Sequence, residues 1–137
     1  MFSRIMIPVD LKHTHQLGKA LSVSAEMARN YGSELHLVGV TMSAPTEIAP
    51  TPEAFAEKLG EFAARCATEL GVAFHHHAEI SNDMRIDLDE VLENAAEKFG
   101  ADLIVMASHV PGLAEHVFAS NAGYLASHAS MSVMVVR

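Results

Sequence analysis

The chain has 137 residues, half of them hydrophobic, with 9 Lys+Arg against 17 Asp+Glu and a formal net charge of −8. That is the length of one domain, with enough apolar material for a normal core and too much of it for a disordered chain. The acidic balance speaks against nucleic acid and anionic membrane as partners, no apolar run approaches the ~20 residues of a membrane span, and a lone cysteine leaves no internal disulfide.

The opening MFSRIMIPVD moves directly into a strand and lacks the charged segment and cleavage site of a secretory signal, so a cytoplasmic location is expected. Ser3 to Val9 is apolar on both faces and therefore reads as a central strand, with Pro8 close to its end. Asp10 falls at the carboxyl end of that strand, the edge where ligands collect in doubly wound sheets. From about Thr14 to Tyr31, Leu17, Ala20, Leu21, Ser24, Met27, Ala28 and Tyr31 recur at helical spacing, and Gly32 supplies the stop. Glu34 to Thr41 is the second strand. The Met42–Pro50 loop is rich in Pro, Ser and Thr and is expected to pack poorly.

Thr51-Pro52-Glu53 marks the next helix start, with Pro52 at the first helical position. Its buried stripe is Phe55, Leu59, Phe62, Ala63, Cys66 and Leu70, so Cys66 is read as a small core residue rather than a nucleophile. Val72 to Ile80 is a third strand whose histidines suggest a sheet edge. Asp87 and Glu90 have capping-box spacing, with Ile86 and Val91 as the flanking hydrophobic pair, so a helix is expected to begin there. Leu88, Val91, Leu92, Ala95, Ala96 and Phe99 would be its buried face.

The last third reads strand, loop, helix, strand. Asp102–Ala107 and Ser132–Val136 are nearly continuous apolar runs, as parallel strands covered on both faces require. Ser108-His109-Val110-Pro111-Gly112 cannot continue a strand. A small-residue turn, Ala119-Ser120-Asn121, is expected to open a helix through about His128. Backbone amides at a loop and a helix start, both at one strand's carboxyl end, suit a phosphate. The succession of strands and helices gives one α/β domain over 1–137, a parallel five-stranded sheet with helices on both faces in a three-layer sandwich.

These residues resemble a known family. Ala107-Ser108-His109-Val110-Pro111-Gly112-Leu113, Ala119-Ser120-Asn121-Ala122, His128-Ala129 and Ser132-Val133-Met134-Val135-Val136-Arg137 are similar to the ASHRPGL…GSNA…SVLVVR pattern of the small single-domain universal stress proteins. IMIPVD and GADLIVMASH extend the likeness over essentially the whole chain. The resemblance implies strand order 3-2-1-4-5, in the adenine-nucleotide alpha-hydrolase-like fold. It implies a regulatory stress-response protein that binds ATP or AMP, with magnesium as a possible companion. Pro8, Val9, Asp10 and Val40 would lie on the adenosine side, and Ala107, Ser108, His109, Gly112, Ala119, Ser120 and Asn121 on the phosphate side. It also implies a homodimer paired through the last strand, with Val133 and Val135 at the interface.

The chain departs from the family pattern in three respects. Ala107, Val110 and Ala119 stand where G-x-x-G-x9-G-[ST] has glycines, with the last interval one residue shorter. Val110 replaces the usual arginine, and no Lys or Arg occurs from Ala101 until Arg137. His109, His116 and His128 are the side chains there that can gain positive charge, so affinity is expected to rise as pH falls from about 7.5 to 6. Lys12 could compensate for the missing arginine if its loop folds inward.

Other chemistries rank lower. His75 and His77 share one strand face, His76 points away, and His36 could approach, but a zinc site needs three or four converging ligands, so no metal is assigned. Asp10, Ser108, His109, Ser120 and His128 supply triad residue types, yet no G-x-S-x-G elbow and no P-loop lysine motif is present. At most slow ATP hydrolysis is expected, and no catalytic residue is assigned. The alternative of another class is a nucleotide-free adaptor of the same fold that binds a regulatory protein partner. A bare final strand invites pairing with a second chain unless the Met42–Pro50 loop covers it.

Overall fold

Burial does not alternate along β1 (Arg4–Val9): Ile5, Met6, Ile7 and Val9 are all buried. Neighbouring side chains on a strand point to opposite faces, so both faces must be covered. The computed structural model, which describes residues 1–108 and 117–137 and, within these, all side chains except those of Arg85 and residues 117–121, shows how. β1 lies at the centre of a five-stranded sheet with β2 (Glu34–Thr41) and β3 (His75–Ile80) on one side and β4 (Leu103–Ala107) and β5 (Ser132–Val136) on the other. All four pairings are parallel, in the order β3-β2-β1-β4-β5.

Each face has its own core. Ile5, Ile7 and Val9 point with Leu35 and Leu37 toward Leu17, Ala20 and Leu21 at α1 (Gly18–Tyr31) and Phe55, Leu59, Phe62, Ala63 and Cys66 of α2 (Pro52–Leu70). Met6, Val38 and Val40 point the other way, toward Leu88, Leu92, Ala95 and Ala96 of α3 (Met84–Lys98) and Ala122 and Leu125 of α4 (Val117–His128). The strict alternation of the two sets along β1 and β2 is the period-2 rule acting on a sheet buried on both sides. Burial pushes the Cys66 thiol up, with nearby Glu69 adding to it, which suits a packing role rather than a nucleophile.

The helix ends follow local chemistry. Thr51 Oγ1 accepts the Ala54 N–H at 3.1 Å and Pro52 occupies the first helical position of α2. Gly32 and Gly71, at φ 71° and 67°, close α1 and α2 in the left-handed region. Gly39 on β2 serves a different need. A Cβ there would stand 2.9 Å from the Phe55 ring and 3.2 Å from Leu59 Cδ2, so only a bare backbone lets α2 sit this close to the sheet.

Four expectations need correction. Thr14–Gln16 forms a single 3-10 turn, and α1 begins only at Gly18. The third strand starts at His75 rather than Val72, although Val72 and Phe74 still pack against the core. α3 begins at Met84, because the Asp83 carbonyl receives the N–H groups of Ile86 at 3.0 Å and Asp87 at 2.8 Å. The Asp87 carboxylate instead reaches back to the Asp83 N–H at 3.3 Å, so Asp87 supports the first turn from inside it. The loop after β2 does not pack poorly: Ala49 is buried, Ile48 packs on the core, and a Thr46–Ala49 turn is closed by the Thr46 N–H to the Ala49 carbonyl at 2.9 Å. That loop sits beside α2 and the ends of β1 and β2, so it does not reach over β5, which forms an edge of the sheet.

The two sides of β1 are joined unequally. β1 pairs with β2 from Arg4–Glu34 through Val9–Gly39. Among the described residues, its register with β4 comprises Ile5–Leu103 and Met6–Ile104. Pro8 has no N–H to offer, which fits a strand whose pairing on one side has ended. At the amino end the same two strands are pinned by Asp102, whose carboxylate accepts the N–H groups of Ser3 at 2.8 Å and Arg4 at 3.0 Å. The backbone ladder between β1 and β4 therefore ends short of their carboxyl ends, the position at which strand order reverses, while Ile7, Val9 and Val105 remain in one core cluster.

Candidate functional site

A cleft of about 440 Å³ opens at the carboxyl ends of β1 and β2. Val9, Val40, Ile48, Phe55, Met42 and Met84 give it apolar walls, and Asp10, Lys12, His13, Thr41, Thr46 and Glu47 supply polar groups. Its size falls in the range of small-ligand pockets, and apolar walls beside polar groups suit a small ligand that has both an apolar body and hydrogen-bonding groups.

Asp10 is fixed by its own loop. One carboxylate oxygen accepts the Lys12 N–H at 3.0 Å, the other lies 2.8 Å from His13 Nδ1, and the Asp10 carbonyl accepts the His13 N–H at 3.0 Å. This is an Asx-type turn, in which a short acidic side chain replaces backbone partners as the strand ends. Each carboxylate oxygen keeps a second lone pair, so Asp10 can still accept from a ligand while its orientation is set. Lys12 reaches across the cleft to Glu47, Nζ to Oε2 at 2.8 Å, and this bond holds the Glu47 carboxyl below the usual range. Lys12 therefore lines the cleft, with its half-exposed ammonium already facing a carboxylate.

Of the residues expected on the adenosine side, Val9, Asp10 and Val40 line the cleft together, while Pro8 is buried in β1 and does not. On the phosphate side, Ala107 ends β4, and the Ser108 N–H donates to the Val136 carbonyl at 2.7 Å. That amide continues the β4–β5 ladder and is committed before any ligand arrives. His109 and Gly112 lie outside the described residues. α4 begins at Val117, so Ala119, Ser120 and Asn121 belong to the helix rather than to a turn before it. Ala119 is the third helical residue, so its N–H has no intrahelical acceptor, whereas the Ser120 N–H makes the first bond back within the helix and Asn121 lies one position beyond.

His128 is not near the cleft. It ends α4 at the amino end of the sheet, stacked on Tyr124 with ring centroids 4.1 Å apart and Nδ1 2.9 Å from the Tyr124 carbonyl. It can take no part in a triad with Asp10 or in phosphate charge. Of the histidines expected to confer acid-enhanced affinity, His109 and His116 lie outside the described residues.

The histidine run occupies the opposite edge of the sheet, on β3. His75 and His77 share a face with His36 of β2, and His76 turns toward Gly60 of α2, as the strand period requires. His36 stacks on His75, His77 and Phe99 at centroid distances of 4.8, 5.2 and 4.6 Å. The rings are layered rather than aimed at a common point, and among the described residues no three His, Cys, Asp or Glu side chains form a group able to hold a metal ion.

Sequence reasoning missed Glu47, Thr46, Ile48, Phe55 and Met84 as cleft residues. Met84 enters because α3 starts earlier than the capping-box spacing suggested. The loop residues enter because Ile48 and Ala49 anchor the segment in the core. Neither carries a local signal that points to a ligand.

A parallel sheet in the order 3-2-1-4-5, with a cleft at the carboxyl ends of its central strands, defines the nucleotide-binding type of α/β sandwich. Residues 1–137 match the model of the universal stress protein family, and the chain belongs to that family. A curated relative, universal stress protein G of Shigella flexneri, is 30% identical over the full length of both chains. Among solved structures, a universal stress protein family member from Burkholderia pseudomallei is 27% identical, with a TM-score of 0.68 over 98% of this chain and 95% of that one. The universal stress protein of Archaeoglobus fulgidus in complex with dAMP superposes with a TM-score of 0.69 at 19% identity, over 98% of each chain. No helix among the described residues is long and apolar enough to cross a membrane.

Proposed function

We propose that the cleft beside β1 and β2 binds an adenine nucleotide, AMP or ATP, and that the protein is a cytoplasmic regulator whose surface changes with occupancy. The observation that carries this reading is the meeting of Val9, Asp10 and Val40 in one cleft. These are residues that the family resemblance assigns to adenosine. The dAMP held by the fulgidus protein supports the same ligand class for a chain of the same fold. The base would lie against Val9, Val40, Ile48 and Phe55, and Asp10, oriented by Lys12 and His13, would accept from ribose. The phosphates would extend toward the first turn of α4, where the amide of Ala119 can donate. Magnesium enters only as the companion of a triphosphate, because the described residues offer it no ligand set. The regulator would act as a homodimer paired through β5, and a protein partner would sense the loops around the cleft.

A nucleotide-free adaptor of the same fold is the second reading. It is favoured by the engagement of both Asp10 carboxylate oxygens within their own loop. Calorimetric titration with AMP, and with ATP in the presence and absence of magnesium, separates the two. Binding that weakens on Asp10→Ala supports the nucleotide reading. Absence of heat with every compound, together with an unshifted melting temperature, supports the adaptor.

A further inference from the structure

The cleft rim carries an unequal set of charges. Among the described lining residues are two carboxylates, Asp10 and Glu47, and one permanent cation, Lys12. The cation is already engaged, since Lys12 Nζ lies 2.8 Å from Glu47 Oε2. The pair spans the cleft, because Lys12 follows β1 while Glu47 belongs to the segment between β2 and α2.

Both residues stand on fixed bases. The Lys12 backbone is tied to Asp10, and Glu47 sits inside the Thr46–Ala49 turn. Ile48 and Ala49 anchor that turn in the core, and the Lys58 ammonium holds the Ile48 carbonyl. What can change is the pairing of the two side chains, which are 50% and 78% exposed, so the bond contributes little to stability and is readily exchanged.

An anion that reaches Lys12 in this cleft must share the ammonium with Glu47 or displace it, and in either case it meets the Glu47 carboxylate close by. The opposition grows with each charge on the ligand but stays modest, since Glu47 is largely exposed and water screens the repulsion. An uncharged nucleoside meets none of it.

We propose that the Lys12–Glu47 pair is a charge filter, by which this cleft takes adenine compounds of low charge, a nucleoside or a monophosphate, in preference to polyphosphates. Glu47 is the residue that sets the preference. The inference rests on the reading of the cleft as an adenosine site.

The test is the affinity of adenosine, AMP and ATP for the wild-type chain, Glu47→Gln and Lys12→Ala, with melting temperatures as the folding control. Wild type is expected to bind adenosine and AMP more tightly than ATP. Glu47→Gln should tighten ATP about two- to fivefold and leave adenosine unchanged, because an exposed pair is being removed. Lys12→Ala should weaken AMP and ATP while sparing adenosine. Adenosine binding with the same ATP-to-adenosine ratio in wild type and Glu47→Gln overturns the filter alone. Failure of all three compounds to bind any of the three folded proteins overturns the adenosine reading and the filter with it.

Discussion

His36 Nδ1 lies 2.9 Å from His77 Nε2, so one ring must donate and the other accept. The pair survives one added proton but not two, since two imidazolium rings have only donors to present. Burial depresses the pKa of both residues. At His36, Glu34 opposes the shift, but its carboxylate stands 3.5 Å from a buried Nε2 that has no normal hydrogen bond. The other groups that act on His77 are Glu79, which raises it, and His75, His76 and Lys98, which lower it, His76 from the opposite face of the strand. Folded-state pKa values below the unfolded value of about 6.5 mean that the unfolded chain binds protons first. The stability held by the pair is therefore complete above that value and is lost as pH falls below it, through the folded pKa values. Melting temperature should drop by roughly 3 °C or more between about pH 7.5 and 5.5, and His36→Phe/His77→Phe should flatten the drop. An NMR titration placing His36 at or above the unfolded value would defeat this account.

Gly39→Ala should destabilise the fold by about 1–3 kcal/mol, since its new methyl group meets the Phe55 ring at 2.9 Å. Urea unfolding measures the loss. Pairing the substitution with Phe55→Leu should recover part of it, and equal losses in the single and double variants would show that the ring is not the obstacle.

Asp102→Ala should lower stability by roughly 1–3 kcal/mol, because two backbone N–H groups at the start of β1 lose a charged acceptor. Asp102→Asn keeps one acceptor oxygen and should fall between the two. Thermal melts of the three proteins provide the ranking, and an alanine variant as stable as wild type contradicts the assignment.

β5 is an edge strand, and Val135 on it is 40% exposed. A homodimer paired through this edge should appear as such in sedimentation velocity, and Val135→Lys should convert it to monomer without a fall in melting temperature beyond that of lost assembly. A wild-type chain that sediments as a monomer at micromolar concentration removes the proposed pairing.

Most of the scaffold was legible because its strands are apolar on both faces and its helices carry clear stripes. Ile5, Met6 and Ile7 could belong only to a covered central strand, and Phe55, Leu59, Phe62, Ala63 and Cys66 only to a buried helix face. The start of α3 was misread because Asp83 and Asp87 both have capping chemistry, and only the tertiary position of Met84 decides between them. The cleft was legible at Val9, Asp10 and Val40, which strand ends locate. Glu47 was not, since its approach to Lys12 depends on how Ile48 and Ala49 dock. Nor could the sequence reveal that the Ser108 amide is taken by Val136, a bond made between segments 28 residues apart in number.

The β1–β4 ladder ends at Met6 and Ile104, so the two strands are stitched by backbone bonds at one end and held by packed side chains at the other. Asp102 reinforces the stitched end, and the end without ladder bonds borders the cleft through Val9. A molecule lodged against Val9 would steady that end, so its presence should register as slowed amide exchange along β4, a strand that does not line the cleft itself.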